Sequence, residues 1–280
     1  MRKNNLETFL ESLNSTDNYK AHSALLKVTT KEEGGLFVNS RGKVISEIKF
    51  FRDNDRKIQL VSERDFKVNS YLRNGNAHFE RQDFSGWLSL KDYRGTCKIA
   101  GNQYSFNSFL RIIFSLLAVE LGGVLLHSSG SCIASGALLF IGKSGSGKST
   151  IIKNLLVYPN NRNKILSDEI TLVMPSNNDG YNSFSTPFFG TLEGRLKITS
   201  KQAPVKKIFF LKKSNHFNIK KLKRNKALER LLPNIIFFLK DGFFAEKVMS
   251  IAAGITEKIP CYELSFTERV KKNEYKIISG

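Results

Sequence analysis

Residues 142–150 read Gly142, Lys143, Ser144, Gly145, Ser146, Gly147, Lys148, Ser149, Thr150. Within that run Gly142, Gly147, Lys148 and Ser149 keep the G-x-x-x-x-G-K-[ST] spacing of a phosphate-binding loop. The residue types follow from the chemistry. Glycines let successive backbone N–H groups turn toward phosphate oxygens with no Cβ in the way, and a helix starting at the end of the loop adds its positive dipole end. Lys148 is then expected to reach the β- and γ-phosphates and the Ser149 hydroxyl to ligate Mg²⁺, so ATP and Mg²⁺ are the expected cofactors. A dinucleotide fingerprint is excluded, because no third glycine follows Gly145 and Gly147 at the spacing it requires.

Two further elements can complete such a site. Asp168 and Glu169 stand together 20 residues after Lys148, where a carboxylate can serve as base to a phosphoryl acceptor close to the γ-phosphate. Alone, the pair would read as a turn or cap; this close to a phosphate loop it is a catalytic candidate. Transporter-type ATPases place their second acidic motif much further on, after an LSGGQ signature that this chain lacks. His127 ends the apolar run Leu125-Leu126. A lone histidine there is ordinarily a core or edge residue, but the chain between His127 and Gly142 has room for one hairpin that would return it to the loop.

The elements that must hold these residues follow from periodicity. Ala137–Ile141 is an apolar strand running directly into the loop, and Ile151–Leu156 is the helix after it. Further strands are expected at Ile165-Leu166, Ile170–Met174, Lys207–Leu211 and Cys261–Phe266, with helices near 222–232 and 242–257. This alternation makes the second half α/β. Phe109–Leu126 carries Arg111 and Glu120 and stops at Gly122-Gly123, so it reads as a buried helix and not a membrane span. Ahead of it, turns at 40–42, Asn74-Gly75 and Asp92–Gly95 separate strand-like runs, and Leu6, Phe9, Leu10 and Leu13 suggest a short amphipathic helix. The expected organisation is a small β-rich domain, 1–104, followed by a nucleotide-binding domain, 105–280; overall the fold is α/β in its second half and α+β as a whole.

Composition bounds the rest. The 280 residues hold 44 Lys+Arg against 25 Asp+Glu, a formal net charge of +19, and 41% are hydrophobic, enough for a packed core. Cys97, Cys132 and Cys261 form no CxxC pair, which excludes a zinc ribbon or disulfide scaffold and suits a reducing cytoplasm. The first residues lack the apolar core of a signal peptide. Lysines are dense only in 206–230, which reads first as solvated surface and second as a patch for an acidic partner or nucleotide phosphates. Neither nucleic acid nor membrane is an expected partner; a homo-oligomer is left open.

Histidine, hairpin, GxSGxGKS and an acidic pair at a strand end, in that order, resemble the HPr serine kinase/phosphorylase family, whose nucleotide domain resembles that of phosphoenolpyruvate carboxykinase. The 15-residue step from His127 to Gly142 is similar to that family's. So are Ser167-Asp168-Glu169 and Thr186-Pro187-Phe188-Phe189-Gly190 to segments of proteins related to it. The resemblance implies that His127 lines the acceptor site, Lys148 binds phosphates, Ser149 and Glu169 hold Mg²⁺, and Asp168 or Glu169 is the base. It further implies a downstream metal ligand, for which Glu193 near Arg195 is the candidate. The expectation is a Mg²⁺- and ATP-dependent kinase acting on a hydroxyl, a serine of a peptide or small protein first. The alternatives are an ATP-binding regulatory module without phosphotransfer and a small-molecule kinase.

Overall fold

The computed structural model describes the strands 25–29, 34–38 and 44–53, and residues 67–100, 103–156, 164–176, 179–186, 188, 190, 202–267 and 269–280. The N-terminal amphipathic helix and the turn at 40–42 lie outside these residues, as do Pro187, Phe189, Glu193 and Arg195. The chain divides into two compact units. One is Met1–Glu120 with Phe237–Ala245; the other is Leu121–Ile236 with Glu246–Gly280. The division therefore falls after the long helix, where 104/105 was expected.

In the first unit β1 (Leu25–Thr29), β2 (Gly34–Val38), β3 (Val44–Asp53), β4 (Asn69–Arg73), β5 (Asn76–Arg81), β6 (Phe84–Ser89) and β7 (Arg94–Ala100) form one sheet in the order β1-β2-β3-β7-β6-β5-β4. The turn Asn74-Gly75 closes the β4–β5 hairpin with both residues at positive φ. Alternating residues Ala77, Phe79, Phe84, Leu88, Cys97 and Ile99 are buried, as period-two patterning requires. Helix α1 (Gln103–Glu120) covers that face, with the Phe109 ring 5.5 Å from Phe79 and 6.1 Å from Phe84. Residues on every side of α1 are buried, the helix ends before Gly122-Gly123, and Val124–Leu126 belong to the next strand. Beneath it Arg81 holds the fully buried Asp83 through paired hydrogen bonds of 2.5 and 2.6 Å. Burial alone would raise the Asp83 pKa, but the Arg81 and Ser105 hydrogen bonds and the Arg81 charge outweigh it and hold it below 3.8.

The second unit is built on β8 (Val124–Ile133), β9 (Gly136–Ile141), β10 (Lys164–Ser167), β11 (Ile170–Pro175), β12 (Tyr181–Phe184), β13 (Gln202–Lys213), β14 (Asn218–Lys221), β15 (Ile235–Ile236) and β16 (Cys261–Phe266). Helices α2 (Lys148–Leu156), α3 (Arg224–Leu231), α4 (Gly242–Lys258) and α5 (Lys272–Ser279) punctuate them, α4 beginning within Phe237–Ala245. Parallel pairing is confined to β9–β13–β16; every other ladder here is antiparallel. The fold is thus mixed α/β, with five α-helices among the described residues, and less regularly alternating than expected, because β10, β11 and β12 follow one another without helices. Its core joins Leu138 and Phe140 of β9, Ile151, Ile152 and Leu155 of α2, Phe209 of β13, and Leu264 and Phe266 of β16. Phe140 and Phe209 stack at 5.5 Å. Among the described residues no helix is long and apolar enough to cross a membrane.

Candidate functional site

The loop Gly142–Gly147 leaves the buried end of β9 and closes onto the first turn of α2. Ser146 N–H donates to the Lys143 carbonyl at 3.0 Å and Ile151 N–H to the Gly147 carbonyl at 2.9 Å. Glycine is required at two places. A Cβ on Gly142 would stand 2.3 Å from Ser146 Oγ, and Gly147, at φ +99°, would place one 2.7 Å from Cζ of Phe266. The Phe266 ring therefore backs the loop from β16.

Lys148 is only 9% exposed. Its ammonium curls back over the loop, donating to the Gly142 carbonyl at 2.6 Å and the Lys143 carbonyl at 3.3 Å. Burial lowers its pKa, and the charge of Glu169 partly offsets that lowering.

Strand β8 carries the alignment. His127 pairs with Ile170, immediately after the acidic pair, and the next residue, Ser128, pairs with Ile141, immediately before Gly142. The β8–β9 hairpin expected from the His127-to-Gly142 step forms and brings His127, the loop and Asp168-Glu169 to neighbouring register positions. Ser128 and Thr171, both fully buried, share a 2.5 Å hydrogen bond that fixes this register.

The acidic pair sits in a tight turn held by Ser167, whose hydroxyl donates to the Ile170 carbonyl at 2.7 Å and accepts from Ile170 N–H at 3.1 Å. Asp168 is 8% exposed, and its Oδ1 accepts the Gly190 N–H at 3.0 Å. Thr186 donates to the Ile170 carbonyl at 2.7 Å. The segment carrying Thr186 and Gly190 is thereby pinned to the acidic turn at both ends, a partnership that spacing alone did not reveal. Asp168 and Glu169 differ in role: the Asp168 carboxylate holds backbone, and the Glu169 charge acts on Lys148.

A cleft of about 810 Å³ opens beside the loop between Gly147, Thr150 and the ends of β13 and β16. Its far wall is Lys213, Ser214, Asn215, Thr267 and Arg269, over a floor formed by Phe266. None of these was singled out from the sequence; the one signal was the basic run 206–230, to which Lys213 and Asn215 belong. Other charges of that run are paired elsewhere: Arg230 with Glu263, Lys226 with Glu229, and Arg224 with Glu257.

A family model described as SynChlorMet cassette protein ScmC matches residues 97–272, more than half of the chain. The chain belongs to that family. No curated protein matches it. Membership of the ScmC family corrects the resemblance to HPr serine kinase/phosphorylase. The segments that suggested it, His127, the glycine-rich loop, Ser167-Asp168-Glu169 and Thr186–Gly190, are short. Segments this short recur on unrelated proteins and do not by themselves show kinship. The ScmC match spans α1, the loop, the acidic turn and both walls of the cleft, beginning within β7 and ending at the start of α5.

Proposed function

We propose that this ScmC-family chain binds Mg·ATP at Gly142–Thr150 and transfers the γ-phosphoryl group to an alcohol, with a serine of a peptide or small protein as the first acceptor to assay. The observation that carries this reading is the Lys148 ammonium, buried against the Gly142 and Lys143 carbonyls and acted on by the Glu169 carboxylate. An ammonium within the field of a carboxylate suits a phosphoryl group on one side and a metal ion on the other.

The donor set fits Mg²⁺. This ion commonly takes one or two carboxylates and the oxygens of its phosphates, keeping waters for the rest, and Ser149 and Glu169 supply a hydroxyl and a carboxylate beside the loop. Bound there, Mg²⁺ would neutralise charge on the phosphate oxygens. Glu169 would approach the phosphates through Mg²⁺; Asp168, with one oxygen committed to Gly190 N–H, is a positioning residue for the turn. His127, one strand position from the loop, orients the acceptor hydroxyl.

The test combines calorimetry with release of γ-phosphate from ATP in the presence of serine-containing peptides. Lys148→Ala weakens Mg·ATP binding about tenfold or more, roughly 1.4 kcal/mol. Glu169→Gln removes the charged oxygen offered to Mg²⁺ and lowers both Mg·ATP affinity and turnover, while ATP binding without Mg²⁺ is retained. Unchanged affinity in the lysine variant removes the phosphate-loop reading. Parent-rate turnover in both Glu169→Gln and Asp168→Asn removes the acidic pair from the mechanism, and a parent that binds ATP with no peptide-dependent turnover is an ATP-binding regulatory module.

A further inference from the structure

Resting on the phosphate-loop reading above, we infer that the cleft at the ends of β13 and β16 is a nucleoside subsite, so that the chain takes a nucleoside triphosphate and not an inorganic polyphosphate. Asn215 and Arg269 read its base and ribose end.

Position is the first argument. The parallel order β9–β13–β16 sets the end of β16 two strand spacings, about 10 Å, from the strand that carries the phosphate loop. Phosphates held at the first turn of α2 would point the rest of a nucleotide along this row of strand ends. The cleft of about 810 Å³ begins at Gly147 and Thr150 and runs that way, and it falls in the range of small-molecule sites.

Chemistry is the second. A bare phosphate chain asks only for cations and N–H groups. This wall adds the carboxamide of Asn215, which presents a donor and an acceptor side by side as a base edge requires. It also adds the planar guanidinium of Arg269, which can lie on a ring face. Phe266 closes the floor. Among the described residues that line the cleft there is no Asp or Glu.

The wall is also braced. Ser214 N–H donates to the Phe266 carbonyl at 3.3 Å, linking the ends of β13 and β16. Thr267 donates to the Arg269 carbonyl at 2.8 Å. Asn154 of α2 bonds the Thr150 carbonyl at 3.0 Å through its amide N–H and accepts Val270 N–H at 3.4 Å. The segment carrying Arg269 is therefore tied to the helix that begins at the phosphate loop. Ser214 Oγ accepts His216 N–H at 3.1 Å, a turn that leaves Asn215 exposed at its apex.

The experiment is calorimetry on the full chain with Mg·ATP and with Mg·tripolyphosphate. The parent binds ATP at least about fivefold more tightly than tripolyphosphate, the ratio one net hydrogen bond of about 1 kcal/mol gives. Asn215→Ala, which alters no charge, and Arg269→Lys, which keeps it, each weaken ATP by about that factor and leave tripolyphosphate unchanged. Equal affinity of the parent for both ligands overturns the inference. So does an equal loss of both in the variants, or no loss of either, while the phosphate-loop reading stands. If the parent binds neither ligand, the phosphate-loop reading itself fails and the subsite falls with it.

Discussion

Gly147→Ala perturbs the candidate site at its tightest point, and two independent costs add. Gly147 sits at φ +99°, where a Cβ costs about 1–2 kcal/mol. The new Cβ would also lie 2.7 Å from Cζ of Phe266. That ring is 4% exposed and packs among Leu264, Val270 and Ile151, so it cannot swing into solvent, and overpacking of this kind costs about 1–3 kcal/mol. The expected loss is about 2–5 kcal/mol. Gly145→Ala isolates the backbone share, because Gly145 has φ +76° but a Cβ there meets nothing within 4 Å, and its expected loss is about 1–2 kcal/mol. Urea unfolding of the two variants measures the difference, and placing Gly147→Ala in a Phe266→Leu background should remove most of the excess. If the two glycine variants lose stability equally within about 0.5 kcal/mol, the usual limit of additivity, Phe266 does not support the loop and the reasoning fails.

Two further expectations concern buried titratable groups. Burial pushes the Cys261 thiol from 9.0 up to about 12, so the folded chain keeps a proton that the unfolded chain releases. Stability therefore falls as pH rises through that window, more gently in Cys261→Ala, and Cys261 resists iodoacetamide at pH 8 until urea is added, read by mass spectrometry. In the first unit Asp83→Ala leaves Arg81, with a side chain only 7% exposed, buried without its carboxylate; the expected loss is about 3–5 kcal/mol in urea unfolding. Because the Asp83 pKa is lowered, its contribution is whole above its ordinary 3.8 and disappears as pH falls below it, so the variant and parent should converge in acid.

What the sequence disclosed follows the range of the interactions. The loop, its strand and its helix are contiguous, and the signal for them is a spacing of a few residues. The β8–β9 hairpin needed only the distance from His127 to Gly142, and β16 matched its apolar run residue for residue. The cleft wall was hidden because Asn215 and Arg269 reach it through the parallel pairing of β13 and β16 with a strand far upstream, and no local pattern encodes that. Helix α5 was missed for another reason: of Lys272–Ser279 only Tyr275 and Ile278 are buried, too few to show a periodic face. Its start is closed by the Lys271 N–H bond to Glu274 at 2.7 Å, a contact seen only in the structure. The bond between Asp168 and Gly190 spans 22 residues, and nothing in either residue type announces it.

The dependence of Gly147 on Phe266 has a consequence in time as well as in space. Synthesis delivers the glycine-rich run long before the strand that braces it, and at about 5–20 residues per second the delay is roughly 6–24 s. Through about the first half of that interval β9 lacks its parallel partner β13, and throughout it the run has no aromatic ring behind it. Non-local parallel pairing is also the slow part of folding. The glycine-rich loop is thus among the last features of the second unit to be finished. Chains interrupted upstream of Cys261 would carry every letter of the motif and none of its backing.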